Sequence, residues 1–451
     1  MKRNILVVCL LFVVLISGAQ NIRNEYLSEN KDSIKAYFSK INKEQINKIN
    51  GSHSSQIKEI FEKSHERNII KLEDSVFLFN SEIHKHLNSI LDEVYISNPE
   101  IDSKEFSFFI NNSHSPNAAC YGNGMFEVNL GLFNELETDD ELAFVICHEI
   151  AHYVLEHSFK SIIKSVTDLN SKETKKKIRI LKRKRYGRTR AAISVIDDLN
   201  TNFLNYSKEV EAEADSLGYI YYNKTKYNKS FAISALKKLK RVNNMSMPHN
   251  IKIDSIFNFD NYPFKKFWLE ESVSIFNSNE VINDFSLNSD TISTHYGIDY
   301  RIKALNKEFN IDTSDNDVSY SSLKRIKTIS HFKSVNYLIQ KRFFDLAMYL
   351  IVEKFENNLI TEEQYYSSMA NILKEIYVTK KNHSFGKYVE PASSFSSEKQ
   401  LNKIRLFLNN TELKEIGKIG LNFCNTNINK VNDNKDFIEV LNYFKLNNKI
   451  K

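Results

Sequence analysis

The sequence predicts an α+β protein that is mostly helical, with one small sheet. Three observations carry this. Apolar residues recur at intervals of three and four through much of the chain, which is helical periodicity. Gly (11) and Pro (5) are scarce in 451 residues, so few tight turns are encoded. One Phe-rich, Gly-punctuated segment, 105–129, breaks the helical pattern and reads as short strands. Hydrophobic residues at 41% and charged residues at 26% describe a globular chain rather than a disordered one. The length suits one large or two ordinary domains. A net charge of +6 is small for this length and gives no argument for nucleic-acid binding.

The elements follow in order. Lys2 and Arg3 precede an unbroken apolar run, Ile5 to Ile16, and then the small residues Ser17, Gly18 and Ala19. The run is short for a membrane span, which needs about 20 residues. Residues 1–19 therefore read as an export signal cleaved near Ala19-Gln20, the alternative being an uncleaved anchor. Residues 20–79 form an N-terminal helical segment, and "EIHKHLNSILDEVY" continues the helical spacing beyond it. "EFSFFINNS" (Glu105–Ser113) reads as a strand. Two short strands follow, around Ala118–Tyr121 and Met125–Asn129, joined at Gly122 and Gly124. The helix of "DDELAFVICHEIAHYVLEHS" starts near Asp139 or Asp140 as N-cap.

Residues 171–190 are a basic block, read either as a solvated excursion or as a contact with an anionic membrane surface or acidic partner. A further helix begins near Ser207 and runs into "DSLGYIYY"; "SFAISALKKLKRV" is another. The polar stretch Asp312–Ser322 marks a domain boundary. Beyond it, 322–451 reads as a helical C-terminal domain containing "VNYLIQKRFFDLAMYLIVEKF", "TEEQYYSSMANILKEIYV", "SEKQLNKIRLFL" and "DFIEVLNYF". No fixed repeat period is visible there. Cys9 belongs to the export signal, leaving Cys120, Cys147 and Cys424, an odd count at irregular spacing rather than a disulfide framework. Export permits one bridge.

His148 and His152 are four apart on the helix, so their imidazoles share one face a turn apart. That lets two nitrogens meet one Zn²⁺ at about 2.0–2.1 Å. Glu149 is rotated about 100° from His148 and can reach a water at an open metal position without ligating. A carboxylate there takes the proton of the acidified water and passes it to a leaving amine, which is why HExxH denotes a hydrolase. The competing reading of so short a motif is two histidines that merely share a helix.

The third ligand discriminates. The HExxHxxGxxH pattern needs Gly at position 155 and His at position 158; this chain has Leu155 and Ser158. His157 is one residue out of that register and reads as a helix-end residue capping carbonyls. Cys147 is a conceivable ligand, but its side chain points about 100° away from that of His148. In "SKEVEAEADSLGY" (Ser207–Tyr219), Glu211 and Asp215 are four apart. Glu211 can complete a His₂Glu site, and Asp215 can orient a ligand histidine. On periodicity alone Glu209 and Glu213 compete with Glu211, and an acidic solvated helix is the plain alternative.

At these residues the chain resembles the gluzincin metallopeptidases that include the CAAX prenyl proteases, the HtpX-type membrane proteases and their soluble periplasmic relatives. That family carries an asparagine-alanine strand, a glycine turn and a "GL" before its motif helix. ELAxVxxHExxH, SRxxExxAD and a His-Pro segment followed by Arg come after. This chain has "PNAACYGNGMFEVNLGLF", "ELAFVICHEIAH", "SKEVEAEAD" and "THYGIDYRIKAL", covering about 80–310. The resemblance implies a zincin-type metalloprotease core over 80–311 with an edge strand beside the zinc cleft. It implies one Zn²⁺ per chain on His148, His152 and Glu211, with Glu149 as general base and Asp215 behind the ligands. The family register selects Glu211 over Glu209 and Glu213. His295 and Arg301 match the later segment and are implied as catalytic residues, the histidine stabilising an oxyanion or gating the site. Lys208 replaces the usual Arg, and Tyr296 replaces the Pro after His295.

An exposed edge formed by Asn117, Ala118, Ala119 and Gly122 can pair with an extended peptide through main-chain hydrogen bonds. Polypeptides that are unfolded or extended are thus the expected partners, with no nucleic acid. The basic block 172–190 or the C-terminal helices are candidates for a membrane surface or envelope partner. The C-terminal region reads equally as a lid or packing element. The resemblance implies an exported zinc endopeptidase, periplasmic or envelope-associated, in envelope protein quality control. The alternative is a chaperone-like or scaffold protein with a latent or structural zinc site. Glu149 speaks against it, since structural zinc needs no base and closes its fourth position.

Overall fold

The computed structural model describes residues 30–79, 81–101, 106–183, 188–243, 247–271, 297–312, 323–393, 396, 398–431 and 434–448. The export signal, His295, Tyr296 and the boundary segment 313–322 lie outside the described residues. The fold is α+β and mostly helical, with one four-stranded sheet and a helical C-terminal region. The chain divides into two compact units. The first holds the residues up to Asn112, Pro116–Lys240 and Ser293–Ile326; the second holds Ser113–Ser115, Arg241–Ile292 and Lys327–Lys451.

In the first unit, helices α1 (Lys31–Asn47) and α2 (Ser54–Glu73) precede strand β1 (Phe77–Leu78) and helix α3 (Glu82–Ser97). Strands β2 (Ser107–Asn111), β3 (Ala118–Cys120) and β4 (Met125–Asn129) follow. The sheet order is β1-β2-β4-β3, so β3 is an edge. β2 runs parallel to β4, and β3 antiparallel to it with Ala119 opposite Glu127. Phe38 of α1 packs edge-on against Phe77 and Phe109, fastening α1 to the sheet. Glu127 is buried in β4 and is met by Lys71 (2.8 Å), the Tyr121 hydroxyl (2.8 Å) and the Asn111 amide (2.5 Å), so its charge is paid for locally.

Helices α4 (Leu130–Glu135), α5 (Asp139–Val154), α6 (His157–Asn170), α7 (Lys172–Arg183), α8 (Arg188–Lys224) and α9 (Phe231–Asn243) continue the chain. α5 is capped by Thr138, whose hydroxyl accepts from Glu141 N, and not by Asp139 or Asp140. α8 begins well before Ser207, because from Arg188 to Leu217 the sequence offers no Gly or Pro to end a helix. The basic block enters α7 and the start of α8 and is helical in its described part, with most of the lysines and arginines of α7 exposed. A short helix α10 (Ile253–Ile256) belongs to the second unit, and α11 (Ile298–Phe309) to the first.

The second unit continues with α12 (Leu323–Gln340, entering the unit at Lys327), α13 (Phe344–Glu356), α14 (Glu362–Lys381), α15 (Lys399–Asn410), α16 (Leu413–Asn427) and α17 (Lys435–Asn447). Its core joins residues such as Trp268, Phe257, Phe344, Phe407, Phe423 and Phe444. The expected single helix 335–355 is broken at Arg342, which takes φ 64°. There Phe343 N bonds to Leu338 O and Arg342 N to Ile339 O, a helix stop made without glycine. α16 is hidden in the sequence by Gly417 and Gly420. At Gly420 an added Cβ would meet the Phe444 ring, so the glycine makes room for α17. Among the described residues, no helix is long and apolar enough to cross a membrane.

Candidate metal centre

α5 is buried along almost its whole length, from Asp140 to His152. Glu141, fully buried, anchors its first turn to α9 by accepting from Lys238 Nζ (2.8 Å) and Ser234 Oγ (2.5 Å). α8 packs along α5 and crosses it closest at Gly218. A Cβ there would lie 2.8 Å from His148 Cα and 3.0 Å from His148 N. Glycine thus lets backbone meet backbone at the motif itself. Glu211 and Asp215 lie seven and three residues earlier on the same helix, about two turns and one turn from the crossing.

Among the described residues, one group of three or more metal-ligating side chains comes together: His148, His152 and Glu211, all buried. His148 Nε2 and His152 Nε2 are 3.0 Å apart. Glu211 Oε2 is 3.6 Å from the first and Oε1 is 3.5 Å from the second. Four-coordinate zinc with ligands near 2.0–2.1 Å sets neighbouring donors roughly 3.3 Å apart. The three separations bracket that value, so these residues fit a zinc ion.

The outer nitrogens assign the tautomers. His148 Nδ1 lies 3.0 Å from Asp215 Oδ1, so it carries the proton and leaves the Nε2 lone pair facing the cluster. His152 Nδ1 lies 2.9 Å from His157 Nδ1, and His157 Nε2 lies 3.2 Å from Glu213 Oε2. His152 then donates to a neutral His157, which donates to Glu213. Burial pushes the His157 pKa below the ordinary histidine value, and Glu213 only partly opposes it. Two bare imidazole nitrogens and a carboxylate facing one point is a donor set that a cation satisfies.

Arg301, on α11, is 1% exposed. Its Nη1 reaches Glu211 Oε2 at 2.8 Å, while Nε and Nη2 grip Asp215 at 2.6 and 2.7 Å. Burial raises the Asp215 pKa, but Arg301 and His148 outweigh it and hold the carboxyl below its usual range. α11 is seated on α8 by Tyr219 against Phe309 (4.6 Å) and by Ser216 Oγ donating to Glu308 (2.7 Å). The stem of Lys208 covers Gly297 at the start of α11.

Glu149 is 3% exposed and lines a pocket together with His148, Arg301, Asn117 and Ala118. Asn129 N donates to Asn117 O and Tyr121 N to Met125 O, so the alternating register turns the main-chain groups of Ala118 and Cys120 away from β4. The Cys120 carbonyl is taken by Ser158 Oγ (2.8 Å). Ala119 bonds inward to β4, and Gly122 (φ +75°) forms the turn against Ser158. Cys120, Cys147 and Cys424 are free thiols, and Cys147 stands outside the ligand group.

Of the expected site residues, His148, His152, Glu211, Asp215 and Arg301 converge, with Glu149 beside them; His295 lies outside the described residues. Glu209 and Glu213 are exposed on α8, Glu213 being held by His157. His157 turns inward to His152 instead of capping carbonyls, because Glu156 takes the left-handed φ of 57° and restarts the helix there. Gly218 is the functional position that sequence reasoning passed over; a lone glycine inside an otherwise helical pattern is the signal.

The fold and this donor set define a metal-dependent hydrolase class built on one helix pair. Residues 80–309 match the sequence model of Peptidase family M48, and the chain belongs to that family of metallopeptidases. A comparison with curated proteins finds no match.

Proposed function

We propose that this chain is an exported, zinc-dependent endopeptidase that cuts unfolded or loop segments in envelope protein quality control. The observation that carries the peptidase reading is the buried His148–His152–Glu211 group with Glu149 beside it. Zinc, when bound, supplies a Lewis acid that polarises a peptide carbonyl and makes water acidic near neutral pH. His148, His152 and Glu211 would hold it. Asp215 and His157 orient the two imidazoles, and Arg301 fixes both carboxylates. Glu149 accepts a proton from the attacking water and returns it to the leaving amine. An extended substrate pairs with the outward main-chain groups of Ala118 on the edge of β3. His295 belongs to the same proposal as an oxyanion or gating residue. Export rests on residues 1–19, and an envelope or membrane contact on the basic α7.

The test is unfolded casein incubated with the zinc-loaded protein beside Glu149→Gln. Cleavage lost in the variant while zinc stays bound supports the peptidase. Equal inactivity of both, with zinc bound, contradicts it.

A further inference from the structure

Strand β3 is an edge, and its outward main-chain groups belong to Ala118 and Cys120. The Cys120 carbonyl is not open to a partner, because Ser158 Oγ donates to it at 2.8 Å. That is where the N–H of a strand added to this edge would stand. One step further on, Gly122 leaves the extended conformation with φ +75°, and a Cβ on it would lie 3.1 Å from Ser158 Cβ. The first turn of α6 therefore abuts the end of β3. α6 is held there from two sides. Phe159 packs on Phe61 of α2, with 6.0 Å between ring centroids, and Val166 joins Ile49, Ile57 and Phe61 in one buried cluster. His157, the neighbour of Ser158, is buried against His152.

The reacting centre lies at the other end of the strand. His148 and Glu149 share the lining of one small pocket with Pro116, Asn117 and Ala118. A paired substrate rises about 3.4 Å per residue, so about two residues separate a scissile bond beside Ala118 from the Cys120 carbonyl. The residue after them meets Ser158 instead of an acceptor. We infer that Ser158 ends the substrate ladder at Cys120 and is a specificity-determining residue, limiting the paired substrate to about two residues on one side of the cut. This rests on the peptidase reading above and narrows its substrate class. Favoured cuts lie close to a chain end, or where an unfolded segment turns away sharply. A long, straight segment gains nothing from its outer residues on that side. Ser158 touches no reacting atom, so its effect falls on binding and not on the chemical step.

The experiment measures binding and cleavage along two nested peptide series. A casein peptide cut by the zinc-loaded full chain is lengthened by one alanine at a time, on one side of the cut or on the other. Affinity is read by fluorescence anisotropy with zinc-loaded Glu149→Gln, alone and combined with Ser158→Ala or Ser158→Thr. The same Ser158 variants of the active chain give kcat and KM. In one series, affinity is expected to rise over about the first two residues and then stay flat. Ser158→Ala frees the Cys120 carbonyl and is expected to extend that rise by a further step of about 2- to 10-fold, the worth of one main-chain hydrogen bond. The step should appear in KM with kcat unchanged. Ser158→Thr keeps the donor and is expected to level off with the wild type. The other series should not respond to Ser158. Affinity that keeps rising past the third residue in both series, with Ser158 intact, overturns the stop. A plateau that Ser158→Ala leaves in place does the same. Either result leaves the peptidase standing, because cleavage still depends on Glu149. Absence of any Glu149-dependent cleavage of casein overturns the peptidase reading and this inference with it.

Discussion

Replacing Gly218 by alanine tests how the site is held together. The new Cβ would stand 2.8 Å from His148 Cα, 3.0 Å from His148 N and 3.2 Å from the Cys147 carbonyl carbon. Comfortable carbon contacts lie at about 3.5–4.0 Å, so α5 and α8 must part by roughly 0.7–1 Å. All three neighbours are backbone, and no rotamer can yield. Two stability terms oppose each other. Alanine gains about 1 kcal/mol in helix propensity, and overpacking costs about 1–3 kcal/mol. The net loss is therefore small, about 0–2 kcal/mol. The chemical loss is larger, because Glu211 and Asp215 move with α8 while His148 and His152 stay on α5. The contacts of Glu211 with the two imidazoles, now 3.5 and 3.6 Å, would open by most of that shift. A misplacement of about 1 Å can cost about 100-fold in rate. Zinc affinity by chelator competition and kcat/KM on casein should each fall by about 10- to 100-fold, with Tm nearly unchanged. A Gly218→Ala protein that binds zinc and cuts casein like wild type would refute the close-crossing argument.

Three further outcomes follow from the same geometry. Arg301→Leu leaves Glu211 and Asp215 buried without their cation, so stability should drop by about 3–5 kcal/mol in denaturant unfolding. His157→Ala removes the acceptor for His152 Nδ1 and should weaken zinc binding by about 10- to 100-fold. His157→Gln, which offers a carbonyl acceptor, should restore part of it. His84 is buried and its pKa is lowered from 6.5 to about 4 by burial, so the unfolded chain takes up that proton first. Its contribution is present above about 6.5 and is lost as pH falls toward 4. The loss is about 3 kcal/mol at most, and His84→Gln should flatten that part of the stability-versus-pH curve.

Much of the site was legible because its chemistry is local. Spacing puts His148 and His152 on one helix face, with Glu149 about 100° round from them, and pairs Glu211 with Asp215 on another, while the choice of Glu211 over Glu209 and Glu213 came from the family resemblance. What brings the two faces together is Gly218, whose role depends on a partner helix that no local pattern names. His157 was misread for the same reason: its partners, His152 and Glu213, are settled by the left-handed turn at Glu156 and by the path of α8. β2, β3 and β4 were readable from Phe content and glycine punctuation, whereas the two-residue β1 lies in a segment read as helical, and which main-chain groups of β3 face outward required the pairing register. The break between α12 and α13 escaped notice because Arg342, not glycine, adopts the left-handed conformation there. α8 extends well upstream of its acidic motif because no Gly or Pro in 188–206 ends a helix, and the motif itself carries no signal of where the helix starts.

The most direct measurement titrates zinc into chelator-stripped protein while following casein cleavage, in parallel with Glu211→Gln. The predicted result is activity that rises to a plateau at one zinc per chain, with the Glu211→Gln protein needing far more zinc to reach any activity. Casein cleavage by the metal-free protein, or a titration that the Glu211→Gln protein reproduces unchanged, would contradict the assignment of His148, His152 and Glu211 as the metal centre.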